Sequence, residues 1–181
     1  MSSSLNRSGP MNEVLSHWNS LDRETAAAIV LPCCSSRAWA AELAARRPIV
    51  DEDALLMESA TVWRELSEEA WREAFDSHPR IGERKAPRDA TAESLESSEK
   101  EQAVAQSADD AAKAALKNGN RRYEEKFGRI FIICASGRGA GEILAALEVR
   151  MKNDAATEMQ EAAEQQRQIT ALRLKRWLEG D

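Results

Sequence analysis

The sequence predicts an all-α fold: a single compact multi-helix domain with one extended apolar segment near residues 130–135. Three observations carry that reading. Apolar residues recur at helical spacing in segment after segment, the pattern of helices that each bury one face. Only one stretch, IFIICA at residues 130–135, reads as a strand-like apolar run. A length of 181 residues suits one domain with a sizeable core, and no repeat period or long linker divides the chain.

The elements follow in order. Residues 1–10, MSSSLNRSGP, have little to bury and are expected to form a disordered tail ahead of a domain spanning 11–179. Met11, Val14, Leu15, Trp18 and Leu21 keep one helical face apolar. Asp22 caps the next helix, which the Ala-rich stretch carries to Val30, where Pro32 is expected to interrupt it. Ser35 or Ser36 opens a helix through Trp39 and Leu43 that ends near Arg46-Arg47-Pro48. Asp51 and Asp53 begin another, and Ser67 starts a short one carrying Trp71 and Phe75. Pro79, Gly82 and Pro87 mark an exposed loop from Ser77 to about Thr91. A long polar helix is expected from Thr91 to Lys117, closed by Asn118-Gly119, with Tyr123 and Phe127 continuing helical spacing to Gly128. After the 130–135 run come a glycine-rich turn, an amphipathic helix with Ile143, Leu144, Leu147 and Met151, and a last helix from about Ala155 to Leu178.

Composition narrows the function classes. A net charge of −6, with Lys and Arg scattered among acids, makes no basic stripe for nucleic acid. No apolar run approaches the roughly 18 residues a bilayer span needs, so no membrane partner is expected. The polar start lacks a leader's apolar core and the end, WLEGD, carries no peroxisomal address, which points to a cytoplasmic protein. Cys33, Cys34 and Cys134 form no disulfide framework, and with only two histidines they offer no metal-ligand spacing, so no metal is expected. The five tryptophans sit at helical apolar positions and read as core.

Four constellations could carry chemistry. His78 lies in Ser-His-Pro-Arg-Ile-Gly, where Pro79 stiffens the backbone and Gly82 permits a sharp turn, so the loop can hold a proton-exchanging side chain in place. A surface loop histidine is the plainer alternative. Ser98, Glu101 and Gln102 fall at i, i+3 and i+4, gathering a hydroxyl, a carboxylate and an amide on one helical face that would either grip a polar planar ligand or simply face water. Arg173 lies beside the apolar stripe of the last helix, where an inward guanidinium wants either a substrate anion or a structural carboxylate. Gly137, Gly139 and Gly141, after an apolar run and before a helix, resemble a phosphate cradle and leave open a nucleotide-binding or small-molecule-binding module. The offset misses the dinucleotide fingerprint, and Glu142 would repel a pyrophosphate.

Several segments together resemble one family, the 2-oxo-4-hydroxy-4-carboxy-5-ureidoimidazoline (OHCU) decarboxylases. They are LPCCSSRAWAAELAARRP, WRELSEEAWREAFDSHPRIGER, SSEKEQ, NRRYEEKFGRIFIICASGRGAGEILAALEVRMKND and ITALRLKRW, in order over roughly residues 25 to 175. The chain departs from the family where Ser35 replaces a common glycine and where Ala103-Val104 follows the Glu-Gln pair. The resemblance implies an all-α, usually dimeric enzyme without a cofactor that forms (S)-allantoin and carbon dioxide in urate breakdown. It implies His78 and Glu101 as catalytic. Pro79, Ser98, Gln102, Phe131, Ile132, Ile133, Cys134, Ala135 and Arg173 would bind substrate, residues 131–135 through backbone groups.

Overall fold

A computed structural model describes residues 12–81, 91–106 and 110–180, with the side chains of 104–106 left aside. Among these residues nine helices carry the fold: α1 (Glu13–Ser20), α2 (Arg23–Cys34), α3 (Arg37–Ala45), α4 (Glu52–Glu65), α5 (Glu68–Asp76), α6 (Ala92–Gln106), α7 (Asp110–Phe127), α8 (Ala140–Arg150) and α9 (Ala155–Glu179). The starts are set locally. Asn12, Asp22, Ser36, Asp51, Ser67 and Asp154 each accept a hydrogen bond from the backbone N–H three residues on, satisfying a donor that the first turn leaves orphaned.

Two expectations about breaks are corrected. Pro32 lies inside α2 rather than ending it, because a proline forfeits one hydrogen bond while the turn it sits in buries Cys33 and Cys34. The stop comes at Ser35, in the left-handed region at φ 65°. Asn118-Gly119 likewise does not terminate a helix, and α7 runs through it to Phe127. Gly119 serves packing: a Cβ there would stand 3.1 Å from Leu147 Cδ1, so its absence lets α8 lie close against α7. The single helix expected over 91–117 is described as two, α6 and α7, and residues 107–109 between them lie outside the described residues. So do the expected tail, 1–10, and most of the loop after Ile81.

The core has two parts. One gathers Leu15, Trp18, Trp39, Leu43, Leu55, Trp63, Phe75 and Leu174 from α1 to α5 and α9. The other gathers Leu116, Tyr123, Ile143 and Leu147 from α7 and α8. Between them runs the 130–135 segment, which pairs with no strand among the described residues. Its period of two sorts the side chains: Ile130, Ile132 and Cys134 pack on the first cluster, and Phe131, Ile133 and Ala135 on the second. An extended segment is what a seam between two apolar clusters needs, since a helix of that length could not face both so evenly.

Candidate active site

Helix α5 ends at Asp76, and the turn that follows puts His78 into the interior, its N–H bonded to the Phe75 carbonyl at 3.1 Å. The imidazole is 8% exposed and its Nε2 lies 2.7 Å from Gln166 Oε1 of α9. Burial first, and the nearby Arg173 guanidinium second, push the ring down to about 3, so it is neutral at physiological pH. The surface-loop alternative for His78 is thereby excluded.

The face holding Ser98, Glu101 and Gln102 turns inward, and all three side chains are buried. Glu101 forms a two-pronged pair with Arg173: Nε donates to Oε1 at 2.9 Å and Nη2 to Oε2 at 3.1 Å. Arg173 Nη2 also donates to Ser98 Oγ at 3.0 Å, while Nη1 reaches Ser94 Oγ at 3.3 Å and the Pro32 carbonyl at 3.4 Å. Arg176 adds a longer contact to Glu101 Oε1 at 3.5 Å. A carboxylate and guanidinium this well buried hold only because each satisfies the other with several hydrogen bonds. Both readings of Arg173 were open in the sequence, and the structure supplies a carboxylate partner from the protein itself.

His78, Pro79, Glu101, Gln102, Phe131, Ile132, Ile133 and Ala135 line one cavity, together with Ile81 and Ile169. Ser98, Cys134 and Arg173 stand outside that lining. Arg173 braces Glu101 from behind, Ser98 in turn holds Arg173, and Cys134 turns its side chain to the first core cluster. The free space is about 20 Å³, room for little more than one water, so a ring-sized ligand enters only if the walls part.

The 131–135 backbone is held from its far side. Arg150 Nη1 donates to the Ile132 carbonyl at 2.6 Å and Gln165 Oε1 accepts from the Cys134 N–H at 2.9 Å. Arg150 is anchored in turn by Glu158, which also receives the Tyr123 hydroxyl and Asn153 Nδ2. Among the described residues the N–H and C=O groups of Phe131 and Ile133 take no hydrogen bond, which leaves them for a ligand.

Sequence reasoning missed Gln166, Ser94, Ile81 and Ile169. Gln166 precedes Arg173 by seven residues, two turns along the same face of α9, and that spacing was the available signal. The glycine-rich turn is taken up by the fold: Gly139 caps α8, and its N–H donates to Glu142 Oε2 at 2.9 Å. The carboxylate that argued against a pyrophosphate therefore has a structural task. No three His, Cys, Asp or Glu side chains converge as metal ligands among the described residues, and none of the described helices is long and apolar enough to cross a membrane.

A family model described as OHCU decarboxylase matches residues 19–175. The uric acid degradation bifunctional protein TTL of Arabidopsis thaliana is 35% identical over 143 residues, covering 78% of this chain and 44% of that protein. The 2-oxo-4-hydroxy-4-carboxy-5-ureidoimidazoline decarboxylase of Amia calva is 43% identical over 67 residues, 36% of this chain and 38% of that protein. The alignments thus span less than half the length of these curated relatives. Among solved structures, an OHCU decarboxylase crystallised in the presence of (S)-allantoin superposes with a TM-score of 0.71 at 30% identity, covering 88% of this chain and 99% of that one. An (S)-allantoin synthase shares the fold at a TM-score of 0.66 and 18% identity, over 91% of this chain and 53% of that one.

Proposed function

The chain belongs to the OHCU decarboxylase family, and from that membership we propose that it converts OHCU to (S)-allantoin and carbon dioxide. The observation that carries the reading is one buried cavity. It brings together a neutral histidine, a carboxylate held by an arginine, and the unpaired backbone groups of an extended segment. In OHCU one ring carbon bears both the hydroxyl and the carboxylate and neighbours a C=N bond. When the C–CO₂⁻ bond breaks, its electron pair forms a C=C bond to the neighbouring carbon. The C=N pair moves onto nitrogen, which takes a proton. Loss of the hydroxyl proton and protonation of the ureido-bearing carbon then give allantoin. The ring is its own electron sink, so the reaction asks no cofactor of the protein.

The chain's residues supply orientation and proton transfer. His78 takes the hydroxyl proton and returns one to carbon from one face, which sets the S configuration. Glu101, fixed by Arg173, which Ser98 holds in turn, and Gln102 receive the ureido and ring N–H groups. Pro79 forms wall, and the backbone of Phe131 to Ala135 pairs with the amide-like ring edges. A direct grip of Arg173 on the substrate's polar end requires it to exchange one of its protein partners for the ligand. The enzyme is proposed to act as a cytoplasmic homodimer.

The test generates OHCU in place from urate with urate oxidase and the hydrolase that opens its product, then follows circular dichroism after the protein is added. Unaided decay gives racemic product. A fast rise of the (S)-allantoin signal over buffer is expected, and folded protein that gives no acceleration overturns the reading.

A further inference from the structure

We propose that Gln166 is a positioning residue that fixes the tautomer of His78, so that Nδ1 rather than Nε2 is the nitrogen that exchanges protons with the substrate. The inference rests on the reading of His78 as the proton-transfer group.

The hydrogen-bond directions decide it. The Gln166 amide nitrogen, Nε2, donates to Thr170 Oγ1 at 3.2 Å, and Thr170 in turn lies beside the buried Cys34 thiol. The Gln166 oxygen then faces His78 at 2.7 Å, and it accepts but cannot donate. A neutral imidazole beside it must carry its proton on Nε2. Nδ1 is left bare, it takes no hydrogen bond among the described residues, and the ring lines the cavity.

All four groups are buried, and Gln166 is fully so, which holds the amide against flipping. Among the described residues the charged groups facing the ring are Arg173 on α9 and, in the shared cavity lining, Glu101 on α6, while the Cys33 and Cys34 thiols on α2 stand beside Arg173 and Thr170. Arg173 and Glu101 balance each other's charge and burial pushes both thiols up to about 12, so no net negative charge faces the ring. A proton taken up at Nδ1 is therefore held weakly and passed on at once, which suits a group that must return it to carbon.

Two measurements test this, one independent of turnover. In ¹⁵N-labelled protein, long-range ¹H–¹⁵N correlation, with His78→Ala assigning the signals, is expected to show a protonated Nε2 and a bare Nδ1 at pH 7. The opposite tautomer overturns the proposal whether or not the protein decarboxylates OHCU. Replacing the neutral acceptor by a carboxylate in Gln166→Glu favours the imidazolium. At pH 7 kcat is expected to fall at least about tenfold and to recover as pH rises, a limb the parent lacks. A folded Gln166→Glu variant with the parent's pH profile also overturns it, and if that variant does not fold the tautomer measurement decides.

Discussion

Two buried arginine–glutamate pairs stand on either side of the 130–135 segment, and they differ in what they face. Arg150 and Glu158 are 7% and 0% exposed as side chains, and their remaining hydrogen bonds go to Tyr123, Asn153 and the Ile132 carbonyl, all protein. Arg173 and Glu101 are 2% and 6% exposed, and Glu101 also lines the cavity with His78. The chemistry of the pairs is the same. One is a post that holds the 130–135 backbone through the Ile132 carbonyl, and the other puts a carboxylate in the cavity wall. A buried ion pair is thus no sign of function until its free edge is followed to a cavity.

The largest test removes one partner from each pair. Glu158→Ala strips the buried Arg150 of its carboxylate and is expected to lose about 3–5 kcal/mol of stability in urea unfolding, and Arg173→Ala, which leaves Glu101 only the longer Arg176 contact, is expected to lose somewhat less. Only Arg173→Ala should raise KM markedly, because of the two carboxylates only Glu101 lines the proposed substrate cavity. Equal KM changes in the two variants would erase the distinction. Next, His78→Ala should lower kcat at least about 100-fold while the folded state persists by circular dichroism. A near-parental rate would remove His78 from the mechanism.

A smaller effect reads the neutral ring through stability. The unfolded chain binds a proton at this histidine below about pH 6.5, whereas the folded chain refuses it until about pH 3. Below both values, and above both, the ring adds no pH dependence. Between them stability falls as pH falls, by at most about 1.4 kcal/mol per pH unit for one proton. Unfolding midpoints from pH 7 to pH 4 should show a shallower decline in His78→Leu, and parallel declines would refute the buried neutral state. Smallest is Gly119→Ala, which touches neither pair directly and packs against Leu147. A better helix former is set against a Cβ 3.1 Å from the buried Leu147, and crowding should win by about 1 kcal/mol in thermal unfolding with kcat unchanged.

Much of this was legible along the chain because it is local. Cap residues marked the starts of α2 and α4 at Asp22 and Asp51, since a cap needs only a side chain three residues from its N–H, and helical period marked that of α9 near Ala155. Residues 130–135 showed their extended character as a short strand-like apolar run, and only the packing revealed which side chain meets which cluster. The motif order pointed to His78, Glu101 and Arg173. Breaks were read less well: Pro32 and Asn118-Gly119 look like stops, yet each costs a helix less than the packing around it returns.

Partnership was the part that composition and spacing left undecided. Glu101 and Arg173 lie 72 residues apart and His78 and Gln166 lie 88 apart. Whether Glu101 would face water, a ligand or an arginine depended on where α9 crosses α6, a matter of how two apolar clusters pack rather than of any local pattern. Sequence periodicity assigned each side chain to a face. Tertiary packing chose what each face meets, because desolvation and hydrogen-bond direction act only once distant segments are brought to within 3 Å of each other.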